Sequence, residues 1–230
     1  MNQVKRMCRR FWNKYQHFAP VPAYMIFYMS VFTYVESRSR SHIHLLSSSY
    51  DKMIPFCEIF VIPYLLWFFY ITISVIYFGL VEKDRSQYYS LITNLSIGMT
   101  IFLIISLVWP NGHTLRPAIF PRENIFTDLV RYVYGNDTST NVFPSIHVYN
   151  SVAVHLAIAR CPELRRHPRL IHASWILCIL IVLSTVFIKQ HTIVDVIGAL
   201  LMNLGAYLLI YQPQPAILRR HSKVHHKQHI

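Results

Sequence analysis

The stretch IFVIPYLLWFFYITISVIYFGLV, residues 59–81, has no charged side chain in 23 consecutive positions. A helix of about 20 apolar residues is long enough to cross the hydrocarbon core of a bilayer. Its aromatic residues, among them Tyr64 and Trp67, are of the kind that anchor or pack such helices. This stretch therefore predicts a membrane-spanning helix.

The composition of the 230-residue chain predicts that further spans accompany it. Hydrophobic residues make up 53% of the chain and charged residues only 14%, which is too apolar for an average soluble domain. We predict an all-α fold, a six-transmembrane-helix bundle in which residues 1–230 form a single integral membrane domain. The predicted spans are residues 21–35, 59–81, 88–109, 143–159, 171–188 and 192–211.

The longest predicted loop, residues 110–141, contains a second kind of helical pattern. Ile125, Leu129 and Val133 recur at four-residue spacing, and Gly135 follows, as at a helix end. The pattern predicts a short amphipathic helix in the outer loop between spans 3 and 4, lying at the membrane interface.

The formal charge of +12 is explained by membrane topology and not by nucleic-acid binding. If the amino terminus is cytoplasmic, the inside segments hold 15 of the 22 Lys and Arg residues and three of the ten acidic residues. The basic residues flank apolar segments instead of forming one basic face. We predict both termini in the cytoplasm, a plasma (cytoplasmic) membrane location, and membrane lipids as neighbours.

A histidine and an aspartate lie four residues apart in the apolar segment Phe187–Asp195. If this segment is helical, His191 and Asp195 share one face, and the carboxylate can orient the imidazole. Ionisable residues inside a membrane segment are costly, which favours a functional role. A purely structural His–Asp pair would give the same spacing.

The predicted topology places two further polar motifs on the same outer face. They are Arg116–Pro117 in the long loop and Pro144–Ser145–Ile146–His147 at the start of span 4. A helix amino terminus with a serine and an arginine nearby can bind an anion. Alone, Ser145 is as well explained as a helix cap, and Arg116 as an interfacial anchor.

These residue types suit a phosphoryl group. His191 could attack phosphorus and form a phosphohistidine, while His147 protonates the leaving alcohol. Arg116, Ser145 and backbone N–H groups would stabilise the phosphoryl oxygens. The hypothesis needs no metal and no other cofactor, and the four separated cysteines predict neither a disulfide framework nor a metal site.

The three motifs resemble the type 2 phosphatidic acid phosphatase superfamily of lipid phosphatases and lipid phosphotransferases. The resemblance implies that His191 is the nucleophile, Asp195 its orienting carboxylate and His147 the acid and base. It also implies that Arg116, Ser145 and Ser184 contact the substrate phosphate, although Ser184 could equally bond within its own helix. The implied activity is that of a membrane-embedded, metal-independent lipid phosphate phosphatase of the phosphatidic acid or polyprenyl phosphate type.

The chain departs from the family pattern at two positions. Trp109 stands where the family has lysine, and Thr185 stands where it has arginine. Lys189 or His113 could replace the missing charge at the phosphate. The loss also leaves open a lipid headgroup phosphotransferase of the sphingomyelin or inositol phosphorylceramide synthase type, whose substrates carry one charge. A catalytically inactive lipid-binding or scaffold protein is the alternative from another class.

Overall fold

Helices form most of the chain in a computed structural model that describes residues 5–7, 9, 12, 15–38 and 42–211. The helices are α1 (Pro20–Ser37), α2 (Val61–Ile76), α3 (Arg85–Val108), α4 (Ile125–Asn136), α5 (Ile146–Arg160), α6 (Pro168–Phe187) and α7 (Ile193–Tyr211). Short helical turns precede α1, flank α2 at Glu58–Phe60 and Tyr77–Val81, and also occur at Ser49–Lys52 and Leu164–Arg166.

Five of the described helical segments are long and apolar enough to cross a membrane. They are Gln16–Ser37, Glu58–Val81, Arg85–Val108, Pro168–Phe187 and Ile193–Tyr211. The predicted span 143–159 corresponds to α5, which has 15 residues and is therefore only about 22 Å long. The multi-pass membrane fold is thus confirmed, whereas six spans and two cytoplasmic termini stay predictions. Residues 1–4 and 212–230, which belong to the predicted cytoplasmic ends, lie outside the described residues.

Helix α5 is the centre of the bundle. It packs against α2, α3, α6 and α7. Val148, Tyr149, Ala153 and Val154 of this helix are fully buried, and they belong to the largest apolar cluster of the described chain. Such burial explains why a short helix can lie inside an otherwise membrane-length bundle.

Close packing fixes the contact between α3 and α5. A Cβ atom added at Gly98 would lie 2.0 Å from the ring of Tyr149. The ring cannot move away easily, because the Tyr149 hydroxyl donates a hydrogen bond to Asn94 Oδ1 at 2.6 Å. Gly98 therefore allows the two helices to approach.

Helix α4 lies in the loop where the sequence predicts an amphipathic helix. Asn124 caps it, accepting hydrogen bonds from the N–H groups of Phe126 and Thr127. Its buried face includes Val130 and Val133, which pack in a cluster with Val61 and Ile188, and Leu129 packs against that cluster. Of the three predicted positions, Ile125 alone lies off this face, with 69% of its surface exposed. The location of α4 at a membrane interface stays a prediction.

A two-stranded parallel sheet, which the all-α prediction missed, connects the loop that follows α1 with the loop that follows α3. Strand β1 (His44–Leu45) pairs with β2 (Asn111–Gly112), and Gly112 also bridges to Thr140. Asn111 Oδ1 accepts hydrogen bonds from the N–H groups of Val142 and Phe143. These bonds hold the segment that leads into α5 and its histidine.

The contact at Gly98 gives a stability prediction. We expect Gly98→Ala to lower the free energy of unfolding by about 1–3 kcal/mol, because the new methyl group overlaps the fixed Tyr149 ring. Gly205→Ala is the matched control, since nothing lies within 4 Å of a Cβ atom there. Thermal unfolding of the two purified variants in detergent measures the difference, and equal destabilisation would contradict the proposed overlap.

Candidate active site

His191 lies immediately before α7, in a turn that Asp195 helps to fold. The Thr192 N–H donates to Asp195 Oδ2 at 2.7 Å, and the Asp195 N–H donates to Thr192 Oγ1 at 3.2 Å. This reciprocal pair caps the helix. It leaves His191 Nδ1 3.5 Å from Asp195 Oδ2. His191 lies outside the helix, so the condition that both residues share one helical face is not met, but the carboxylate still lies beside its ring.

His147 occupies the first turn of α5. Ser145 caps the helix, and its Oγ accepts a hydrogen bond from the Val148 N–H at 3.4 Å. The His147 ring packs against Tyr64 and Trp67 of α2, with ring centroids 4.4 Å and 4.3 Å away. Its Nδ1 atom has no hydrogen-bond partner. Aromatic packing therefore fixes the ring and leaves a nitrogen available.

The structure brings the two imidazoles together. The ring centroids of His147 and His191 are 5.8 Å apart and the planes are inclined at 56°. The Ser145 N–H also donates to the Asp195 carbonyl oxygen at 3.2 Å, which joins the starts of α5 and α7. Two histidines and a carboxylate from separate helices thus form one cluster.

Both histidines line a cavity of about 810 Å³. Its lining runs along α1 from Pro20 to Glu36 and includes residues of α2 and α3. Apolar side chains dominate most of this wall, and polar residues gather near the histidines and the 136–141 segment. A long apolar groove that ends at paired imidazoles is shaped for an amphiphile with a reactive polar end.

A comparison with family models identifies the part of the chain that contains this cluster. Residues 114–218 match the PAP2 superfamily model. Comparisons with curated proteins and with solved structures found no match. The family match supports the resemblance inferred from the three motifs, and together with the apolar helices it fits a membrane lipid phosphatase or related phosphotransferase.

Arg116, the basic residue of the first PAP2 motif, is held behind the cavity wall. Its guanidinium donates to the carbonyl oxygens of Tyr134 and Asp137 and to Gln190 Oε1, at 3.1, 2.6 and 2.5 Å. It also lies over the Tyr134 ring, 4.3 Å from the centroid. Its Nε atom has no partner. Arg116 is therefore near the histidine cluster, but Gln190 and not Arg116 lines the cavity.

A polar network around Gln190 was not predicted from the sequence. Gln190 Nε2 donates to Asp137 Oδ2 at 3.1 Å, and the Tyr64 hydroxyl donates to the same oxygen at 2.8 Å. Because Tyr64 stacks on His147, the network connects both histidine-bearing elements. The sequence signal was a glutamine next to His191, whereas nothing in the sequence marked Asp137 as its partner.

Two predicted phosphate ligands have other contacts. The Ser184 hydroxyl donates to the Ile181 carbonyl oxygen at 2.6 Å, within α6. The Lys189 ammonium donates to the carbonyl oxygens of Asp51 and Ile54, at 2.8 and 2.6 Å, and burial lowers the Lys189 pKa. The prediction that Lys189 replaces the missing charge is therefore corrected. Its side chain ties the turn before His191 to the 51–54 segment.

The two positions that depart from the PAP2 motif have structural roles. The Trp109 ring packs edge-on against Phe143, with centroids 5.8 Å apart. The Thr185 carbonyl oxygen accepts hydrogen bonds from the N–H groups of Gln190 and His191, at 2.9 and 3.0 Å. Neither residue brings a positive charge to the site.

His113 is also unsuited to replace the missing charge. Its Nε2 lies 2.8 Å from the Gln190 carbonyl oxygen, and its Nδ1 accepts the Leu115 N–H at 3.2 Å. These partners select the neutral ring with the proton on Nε2. Burial lowers the His113 pKa to about 4. His113 therefore holds the Gln190 backbone as an uncharged group.

No described group of three or more His, Cys, Asp or Glu side chains has the arrangement of a metal site. Nor does the lining of the cavity include a lysine or arginine among the described residues. Two carboxylates, Glu36 and Asp137, lie in that lining. The described surroundings of the histidine pair are therefore poor in positive charge.

The contacts of Lys189 can be tested by stability. Its backbone φ is 56°, a conformation that glycine adopts without strain. We expect Lys189→Met to lower the free energy of unfolding by about 1–3 kcal/mol, because it removes hydrogen bonds to one buried and one part-buried carbonyl group. Lys189→Gly is the matched variant. It also relieves the strained backbone, so its free energy of unfolding should fall by less than that of Lys189→Met. Thermal unfolding measures both, and unchanged stability with a raised KM would instead support a phosphate ligand.

The low His113 pKa predicts a pH dependence of stability. The folded protein takes up this proton only near pH 4, whereas the unfolded chain does so near the ordinary value of 6.5. The unfolded state thus binds more protons between these values, and stability falls as pH falls from 6.5 to 4. We expect His113→Gln to flatten this part of the curve of thermal midpoint against pH. A parallel curve for the variant would contradict a neutral buried His113.

Proposed function

We propose that this protein is a lipid phosphate phosphatase that acts through a phosphohistidine at His191. The single observation that supports this best is the meeting of His147 and His191, 5.8 Å between ring centroids, with Asp195 beside His191 at the end of an apolar cavity. The proposed substrate is a membrane lipid phosphate of the phosphatidic acid or polyprenyl phosphate type. Its apolar chain would occupy the groove along α1.

The first step is attack by His191 on phosphorus. The free Nε2 lone pair forms the N–P bond while the bond from phosphorus to the lipid oxygen breaks. His147 donates a proton to that oxygen, so the product leaves as a neutral alcohol. The Asp195 carboxylate stabilises the positive charge that His191 gains when it bonds to phosphorus.

The second step returns both histidines to their starting state. His147, now neutral, removes a proton from water as the water oxygen attacks phosphorus. The N–P bond breaks, and inorganic phosphate leaves with the electron pair restored to His191 Nε2. The proposed cycle consumes one water and requires no metal.

The phosphoryl oxygens would be held by a smaller set of ligands than the sequence predicted. The proposal keeps Ser145 with the N–H groups at the start of α5 as direct ligands, and it keeps Arg116 through Gln190, which Arg116 orients and which lines the cavity. It assigns Ser184 and Lys189 to positioning, because their donors are already used by backbone carbonyl oxygens. The site would face the extracytoplasmic side of the plasma (cytoplasmic) membrane.

A headgroup phosphotransferase is the second candidate, and the electrostatics of the cavity favour it. The described lining has two carboxylates and no lysine or arginine, and three of the contacts of Arg116 go to protein oxygens. A phosphodiester carries one negative charge, so it is held at lower cost than a doubly charged monoester. In this reaction a lipid alcohol, instead of water, attacks the phosphohistidine and gives its proton to His147.

One experiment separates these candidates. Purified protein in detergent is given radiolabelled phosphatidic acid, a polyprenyl phosphate, or a phosphodiester lipid with an added lipid alcohol. We expect wild-type turnover and a loss of at least about 1,000-fold in His191→Ala, because the nucleophile is absent. His155→Gln is the matched control, since His155 lies two turns further along α5 and contacts Ser174.

The products decide between the activities. Free phosphate with an acid-labile label on the wild-type protein supports the phosphatase. Headgroup exchange with little free phosphate supports the transferase. No turnover and no covalent label on this panel would overturn both and support a lipid-binding or scaffold protein.

A further inference from the structure

One end of the cavity is closed by hydrogen bonds between α1 and the segment that leads to α5. Asn141 Nδ2 donates to Glu36 Oε1, and the Thr138 hydroxyl donates to Glu36 Oε2. All three residues line the cavity. We call these contacts of Glu36 with Thr138 and Asn141 the Glu36 bridge. The bridge joins two walls of the cavity at that end.

The two walls are anchored to different parts of the bundle. Helix α1 packs against α3, and the Arg38 guanidinium that follows α1 donates to the Leu107 carbonyl oxygen of α3 at 3.2 Å. The 138–141 segment is held by β2, because the Asn141 N–H donates to the Asn111 carbonyl oxygen at 2.6 Å. Helix α1 also belongs to the least buried of the five membrane-length segments. A separation of the two walls would therefore disturb little of the apolar core.

The surroundings of the Glu36 bridge make it a barrier to water. Near the bridge the cavity lining also contains Asn136, Asp137 and Thr140, whereas along the rest of α1 the lining is mainly apolar and aromatic. Moving water or an ion through apolar surroundings is costly, because hydrogen bonds are lost. The polar end, which the bridge closes, is therefore the favourable route from solvent to the two histidines.

Exclusion of water has a chemical consequence for a phosphohistidine. Water and the hydroxyl of a lipid alcohol compete for the same phosphorus atom. In either case the new O–P bond forms, the N–P bond to His191 breaks, and the attacking oxygen gives its proton to His147. A lipid alcohol can approach along the apolar groove, but water needs the polar end. Closing a site in this way protects a reactive intermediate from hydrolysis.

We infer that the Glu36 bridge is a water seal for the histidine pair and that it sets the ratio of lipid transfer to hydrolysis. The second half of this inference rests on the proposed function, because it requires the phosphohistidine. The seal itself does not. Glu36 acts through the closure of the cavity and is not a catalytic residue, since its carboxylate is bound by Thr138 and Asn141.

The reaction of an introduced thiol tests the seal without any turnover. Ile146 lines the cavity and directly precedes His147, so Ile146→Cys places a thiol near the histidines. The four native cysteines are replaced by serine, and the protein in detergent is treated with a charged, water-soluble methanethiosulfonate. We expect Glu36→Ala to speed this reaction at least about tenfold, because two hydrogen bonds to a carboxylate are lost.

Matched variants separate the bridge from a general loosening of the fold. Glu36→Gln keeps an acceptor for Asn141 and a polar partner for Thr138, so its thiol should react at nearly the parent rate. Thr138→Val removes one of the two hydrogen bonds, should give an intermediate rate, and replaces Glu36→Ala if that variant does not fold. Glu123→Ala is the control for a lost carboxylate, because Glu123 pairs with Arg131 outside the cavity lining. Parent rates in both Glu36→Ala and Thr138→Val would overturn the seal.

The distribution of products tests the second half of the inference. Proteins with their native cysteines are given a phosphodiester lipid, labelled at phosphorus, and an added lipid alcohol. We expect Glu36→Ala to raise the ratio of water-soluble label to transferred label at least about tenfold, whereas Glu36→Gln leaves it unchanged. Faster thiol reaction with an unchanged product ratio would reject control of the products by the seal. Absence of turnover in every protein would reject the proposed function, while the thiol reaction alone would still decide the seal.

Discussion

The position of the candidate nucleophile depends on how the turn between α6 and α7 is held by hydrogen bonds. The N–H groups of Gln190 and His191 share the Thr185 carbonyl oxygen, and the Tyr134 hydroxyl donates to the Ile188 carbonyl oxygen at 2.6 Å. Asp51 Oδ1 accepts the Ile193 N–H at 2.8 Å. In apolar surroundings each of these backbone groups needs a partner. The surrounding loops provide those partners, and the turn therefore has one well-defined shape.

The same requirement explains why residues far apart in the chain contribute to one site. Lys189 reaches back to the 51–54 segment, and His113 binds the Gln190 carbonyl group from the long loop. Asn111 fixes the approach to α5 and thus to His147. A substitution at one of these residues would shift the backbone segment that carries a histidine, and it would change the position of the imidazole in that way. Lys189 and His113 are therefore positioning residues in this arrangement.

Charge distribution distinguishes this site from one built for a strongly anionic ligand. Arg116 is the motif cation, but its guanidinium binds protein oxygens and stacks on Tyr134. Gln190 stands between Arg116 and the cavity, with its amide oriented by Arg116 on one side and Asp137 on the other. A neutral amide and a carboxylate at this place favour a ligand with little charge and several hydrogen-bonding groups.

The sequence by itself determined the apolar helices, the PAP2 motifs and the identity of the two histidines, because hydrophobic length and short motifs are local properties. It placed the helix ends to within a few residues, but it missed the β1–β2 pair. Only the tertiary structure decided which hydrogen-bond donors remain available to a phosphate group. Lys189, Ser184 and His113 had the right chemistry for a phosphate, yet backbone carbonyl groups take up their donors, from distant segments for Lys189 and His113 and from within α6 for Ser184. Gln190 became a site residue because packing places it in the cavity lining between Arg116 and Asp137, and no local pattern in the chain encodes that placement.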